Sequence, residues 1–150
     1  MLAQPLISIS RQSNNEMNKK KILLVDDDAD DQFIFLDAMS EIDSGIECLT
    51  AETCTEALTM LKAIVPPPSL IFLDLNMPFM NGFACLDEIK KDADLKQIPV
   101  IIFTTSSDLS DKKRAKELGA EIFFTKTANF KLLKEKLLDI FNSDFSKSKN

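Results

Sequence analysis

Two apolar runs in this 150-residue chain end in carboxylates. Leu70-Ile71-Phe72-Leu73 runs into Asp74 and then the turn Leu75-Asn76-Met77-Pro78. Ile22-Leu23-Leu24-Val25 runs into Asp26-Asp27-Asp28. A lone buried carboxylate costs several kcal/mol unless something pairs with it. Asp26, Asp27 and Asp74 therefore read as the walls of one oxygen-rich pocket. Three packed carboxylates need a compensating charge. A hard divalent cation supplies it, and magnesium accepts one or two carboxylates while keeping several waters and meeting a phosphate. Asp27 and Asp74 are the expected direct ligands, Asp26 acts through a metal-bound water, and the backbone carbonyl of Asn76 completes the set. Asp28 reads instead as a helix cap.

Two further groups suit the same pocket. Pro99-Val100-Ile101-Ile102-Phe103 ends in Thr104-Thr105-Ser106-Ser107, whose hydroxyls can donate to a phosphoryl oxygen. Ile122-Phe123-Phe124-Thr125 ends in Lys126, a compact ammonium able to hold such an oxygen. An acceptor carboxylate, a metal cradle, a hydroxyl and an ammonium together fit in-line phosphoryl transfer onto Asp74, with Mg2+ and Lys126 neutralising charge. With three glycines in the chain there is no Gly-rich phosphate loop. The phosphoryl donor must then be a phosphorylated partner or a small acyl-phosphate-like compound.

Bulk composition excludes other classes. A formal charge of −6 argues against general binding to nucleic acid or to an anionic membrane. No histidine is present, which removes His-based zinc sites and His-dependent triads. Cys48, Cys54 and Cys85 lack metal-ligand spacing and read as reduced, buried, small apolar residues. No apolar run reaches the roughly 18 residues of a membrane helix, and the expected location is cytoplasmic.

The elements that must position these groups follow from periodicity. Apolar runs at 22–25, 70–73, 99–103 and 122–125 read as buried strands, and the alternating 46–50 as an edge strand. Helical patterns fall at about 30–41, 54–64, 83–92, 109–118 and 129–141. Asp28-x-x-Asp31 and Asp108-x-x-Asp111 suit helix N-termini, where carboxylates meet free N–H groups and the positive end of the dipole, and Gly45 and Gly119 suit helix stops. Strict β-α alternation with right-handed crossovers predicts an α/β, flavodoxin-like, doubly wound five-stranded parallel sheet of order 2-1-3-4-5 with five helices. Its ligand site lies beyond the C-terminal ends of the first and third strands, where Asp26, Asp27 and Asp74 stand. Residues 1–18 read as a disordered arm, 19–142 as one domain and 143–150 as a flexible tail. Met17 is an alternative translational start.

The motifs Leu24-Val25-Asp26-Asp27-Asp28, Leu73-Asp74-Leu75-Asn76-Met77-Pro78 with Asn81-Gly82, Pro99-Val100-Ile101-Ile102-Phe103-Thr104, and Gly119-Ala120 ahead of Lys126 stand in order. Together they resemble the receiver domain of two-component response regulators, in a stand-alone, CheY-like form. The resemblance runs from about Lys21 to Phe141. It implies that Asp74 is the phosphoacceptor of a sensor histidine kinase or histidine phosphotransfer protein. It also implies that Asp26 and Asp27 hold Mg2+, that Thr104 binds the phosphoryl group and that Lys126 is the basic partner. Phe123 falls where the family carries a switch aromatic that follows Thr104, while as a residue it reads equally well as plain core. Asn76 and Ser106 occupy the positions that tune self-dephosphorylation. Thr127 departs from the family, which usually has proline after the lysine, often with a cis bond. A cis bond costs a non-proline residue about 2.5–4 kcal/mol, so Lys126–Thr127 is expected to be trans, and the reach of Lys126 to Asp74 rests on the loop path.

The fourth helix offers only Leu109, Ala115 and Leu118 as anchors, which suits an element that shifts with the state of the site. Phe130, Leu133, Leu137, Ile140 and Phe141 form one stripe of the fifth helix, with Leu132 off it. Phe33, Ile34, Phe35 and Leu36 cover more than one face of the first. These faces allow a homodimer or an unknown downstream protein target. Two other readings stand beside the receiver: an Mg-dependent small phosphatase or phosphotransferase with an aspartyl-phosphate intermediate, and a non-phosphorylated interaction module. Asn76 disfavours the phosphatase, which needs a second carboxylate close after the nucleophile.

Overall fold

The computed structural model describes residues 20–43 and 45–143. The proposed arm at 1–18 and all but Ser143 of the proposed tail lie outside the described residues. Strands and helices alternate: β1 Lys21–Val25, α1 Ala29–Ile42, β2 Glu47–Ala51, α2 Cys54–Ala63, β3 Leu70–Leu73, α3 Gly82–Lys91, β4 Val100–Thr104, α4 Leu109–Glu117, β5 Ile122–Thr125 and α5 Phe130–Phe141. The strands form one sheet in the order β2-β1-β3-β4-β5, and every neighbouring pair is parallel. This is the expected doubly wound topology.

Alternate side chains of a strand point to opposite faces, so a sheet covered on both sides demands continuous apolar runs. Leu23, Val25, Ile71, Leu73, Val100 and Ile102 face a core closed by α2, α3 and α4. Ile22, Leu24, Leu70, Phe72, Ile101 and Phe103 face a second core closed by α1 and α5. Phe35 of α1 meets Phe72 edge-on at 4.9 Å between ring centroids in that second core, a favoured aromatic geometry.

The helices start where short polar side chains satisfy free N–H groups. Asp28 accepts from the N–H groups of Asp30 and Asp31, Thr53 from Glu56, Asn81 from Ala84, Asp108 from Ser110 and Asn129 from Leu132. Gly119 follows α4 at φ 106°, the left-handed region that favours glycine.

Two sequence expectations need correction. Cys54 and Cys85 are not free thiols: they form a disulfide joining α2 to α3, with 5.7 Å between their Cα atoms, and Cys48 stays free. Spacing along the chain carries no sign of this bond, because 31 residues separate the partners and only the packing of α2 beside α3 brings them together. Leu109 does not anchor α4 either. It is 79% exposed at the first position of the helix, and Ala115 is the buried residue of α4. The helix is held even more sparsely than its sequence suggests. Among the described residues, no helix is long and apolar enough to cross a membrane.

Candidate functional site

Register sets the geometry of the pocket. Val25 pairs with Leu73 and Leu73 with Ile102, so β1, β3 and β4 end close to level. Asp74 N–H donates to the Val25 carbonyl at 3.0 Å and Asp26 N–H to the Ala51 carbonyl at 2.9 Å. Each carboxylate is therefore carried on backbone still locked into the sheet. Asp26, Asp74 and Thr104 are the buried polar residues among those described. Asp27 is exposed at the rim.

Asp26, Asp27 and Asp74 each offer a carboxylate oxygen, and these atoms lie within 4.8 Å of one another. Three hard oxygens converging from two strand ends fit a magnesium-type ion, which takes one or two protein carboxylates and fills the remaining positions with water. Asn76 N–H donates to Asp74 Oδ1 at 3.2 Å, which holds the turn against the acceptor.

Lys126 crosses the pocket from the end of β5. Its Nζ donates to Asp26 Oδ2 at 2.8 Å, to Asp31 Oδ2 at 2.7 Å and to Asp74 Oδ2 at 3.4 Å. The reach that Thr127 left open is therefore achieved. The cis peptide bond among the described residues is Val65–Pro66, so Lys126–Thr127 is trans as expected. Lys126 N–H donates to the Thr104 carbonyl at 2.6 Å, which prolongs the β4–β5 ladder and fixes where the side chain starts.

The charges are unevenly settled. Burial pushes the Asp26 carboxyl above its ordinary value, although Lys126 and the Asp28 N–H both pull it down. Burial alone would lower the Lys126 ammonium. Its hydrogen bonds to Asp26 and Asp31, with the charges of Asp74 and Asp26, outweigh burial and raise it well above the usual lysine range. A permanently charged lysine thus faces carboxylates that outnumber it.

The Thr104 hydroxyl is fully buried. It accepts from Asn76 Nδ2 at 3.3 Å and from Ser106 N–H at 3.4 Å, both at the long limit of a hydrogen bond. A group held this loosely can turn toward a new partner. Phe123 is half-buried and packs on the α2–α3–α4 core. It also lines a surface groove with Lys112, Lys116 and Glu121.

Sequence reasoning missed Asp31. It stands at the third position of α1 and looked like a favourable charge at the helix start. The first turn of α1 brings it to Lys126, and a contact between residues 95 apart leaves no trace in local pattern.

The comparisons with known proteins agree with this fold. The family model "Response regulator receiver domain" matches residues 22–138. The chain belongs to the response regulator receiver family. Such receiver domains are phosphorylated on an aspartate in two-component signalling and bind divalent metal; they are signalling proteins rather than turnover enzymes. The receiver is 36% identical over 122 residues to the "Probable transcriptional regulator ycf27" of Cyanophora paradoxa, spanning 81% of this chain and 48% of that protein. It thus spans about half the length of the first curated relatives it matches. It is 34% identical over 124 residues to response regulator Rcp1 of Synechocystis sp., covering 79% of this chain and 84% of Rcp1. The Mn2+-bound form of response regulator Rcp1 superposes with a TM-score of 0.70 at 35% identity, over 81% of this chain and 91% of that one. The phosphorylated cyanobacterial phytochrome response regulator RcpA superposes with a TM-score of 0.74 at 34% identity, over the same shares.

Proposed function

We propose that this receiver accepts a phosphoryl group on Asp74 from a sensor histidine kinase or a histidine phosphotransfer protein, with Mg2+ as cofactor, and that the modified pocket changes a protein-binding face. The observation that carries the proposal is the meeting of Asp26, Asp27, Asp74 and Lys126 at the ends of three strands. Asp26, Asp27 and Asp74 would hold Mg2+, with the Asn76 carbonyl as a further ligand. The ion would supply positive charge to the phosphoryl oxygens. The Asp74 oxygen attacks phosphorus as the P–N bond of a phosphohistidine breaks, and the electron pair leaves with the imidazole. Lys126 supports the transferred oxygens as a charged donor, and Thr104 turns its hydroxyl toward them. The space Thr104 vacates is where Phe123 moves inward. Slow self-dephosphorylation then resets the domain, with Asn76 and Ser106 lining its path.

The domain boundaries we assign are 19–142, and we place the protein in the cytoplasm. The downstream target is a protein, with a homodimer as one form of output.

Intact mass after incubation with Mg2+ and acetyl phosphate tests the central step. We expect one phosphoryl adduct on the native chain and none on Asp74→Asn. An adduct that survives Asp74→Asn overturns the assignment. Repeated turnover of small phosphate esters would favour the phosphatase reading instead.

A further inference from the structure

We infer that Asp31 is a positioning residue: it gives the Lys126 ammonium a seat outside the metal-binding carboxylates, so that the ammonium does not compete with Mg2+ for Asp26 and Asp74. The inference rests on the phosphoacceptor reading and deepens it.

An ammonium has three N–H donors, and Lys126 directs them at three carboxylates. The contacts are unequal. Those to Asp31 at 2.7 Å and Asp26 at 2.8 Å have the length of full charge-assisted hydrogen bonds, whereas Asp74 at 3.4 Å is at the margin. Asp31 is also unlike the other two in place. It projects from α1 rather than from a strand end, and its side chain is 32% exposed against 0% for Asp26 and 7% for Asp74. It is absent from the trio of carboxylates whose oxygens converge within 4.8 Å. Asp31 therefore draws Nζ toward the mouth of the pocket and leaves the Asp74 oxygen lightly engaged.

The consequence appears when a dication enters. A bound dication would repel the ammonium, and Asp26 and Asp74 would hold the ion. With Asp31 present, Lys126 keeps a full-strength partner and stays beside the pocket, within reach of a phosphoryl oxygen. Without that carboxylate, Lys126 has Asp26 and Asp74 alone, and each ion bound must displace it from both.

Calorimetric titration with Mg2+ of the native chain, Asp31→Asn, Lys126→Met and the double variant tests this. Asp31→Asn should raise the Mg2+ Kd about fivefold in the native background and less than about twofold once Lys126 is gone, because the effect passes through the lysine. Equal changes in both backgrounds would mean simple loss of negative charge, and overturn the inference. So would no change in either. Adduct formation from acetyl phosphate gives a second readout. Asp31→Asn should be slow at limiting Mg2+ and recover at saturating Mg2+, and Asp31→Glu should restore the native Mg2+ requirement. A deficit that persists at saturation contradicts the inference. Thermal unfolding checks each variant, and Lys126→Gln replaces Lys126→Met if the latter does not fold. A native chain that takes up no Mg2+ sinks the functional reading itself, and this inference with it; an intact adduct on Asp74 with an additive cycle sinks the inference alone.

Discussion

Asp26 is fully buried, points its carboxylate at Lys126, and still has its pKa raised by burial. Its environment disfavours the charged form, which is the condition a metal ligand needs if the ion is to relieve it. The pH dependence of the metal-free fold follows. Between the ordinary carboxylate range near 3.8 and the raised value it takes in the fold, the native state holds a proton that the unfolded chain releases. Stability then falls as pH rises through that window. Asp26→Asn removes the effect. Its denaturation midpoint, without metal, should vary less with pH above about pH 4 than that of the native chain, while Mg2+ uptake is lost. A midpoint that still falls with pH as steeply as in the native chain would contradict this. Lys126 gives the same sign of slope in a higher window: its raised pKa contributes stability that is present below the ordinary lysine range and fades as pH climbs through the folded value.

At the scale of elements, the loop between β3 and α3 decides how Asp74 is held. Gly82 opens α3 with Asn81 as its cap, and Gly82 N–H donates to the Leu75 carbonyl at 2.9 Å. A Cβ at Gly82 would collide with the carbonyl oxygen of Asp74 and the Cα of Leu75. Both are backbone atoms, so no side chain can swing aside. Gly82→Ala should therefore cost about 2 kcal/mol or more of stability, measured by denaturant unfolding, and should also depress the Asp74 adduct because the acceptor's own backbone is displaced. A variant equal to the native chain in both would show that α3 can slide freely. The contrast with α4 is instructive. That helix buries Ala115 and lays Arg114 over the Phe83 ring at 4.2 Å from its centroid. Few apolar contacts hold it, and such an element can shift at low cost.

At the scale of the molecule, the Cys54–Cys85 bond stands behind the pocket. It ties the start of α2, which follows the Ala51 carbonyl that receives Asp26 N–H, to α3, which backs Asp74. Closing a loop across 31 residues removes entropy from the unfolded chain, and reduction should lower the unfolding free energy by about 3 kcal/mol. Denaturant titration with and without a dithiol reductant measures this; coincident curves would show that the bond contributes nothing. Disulfides are uncommon in the cytosol, so a cytoplasmic location implies that the reduced form is also populated there.

The fold was legible because its demands are local or periodic. A strand buried on both faces must be apolar throughout, so Ile22–Val25 and Leu70–Leu73 announced themselves. Caps such as Asp28 and Asp108 act within three residues of their own positions. The carboxylates of the pocket were legible for a related reason: a charge that ends an apolar run has no local partner and must find a distant one. What pattern could not supply was the identity of those partners. Asp31 with Lys126 and Cys54 with Cys85 are contacts between segments far apart in sequence. No rule of spacing connects such residues; the sheet order and the helix packing do, by choosing which side chains share a volume.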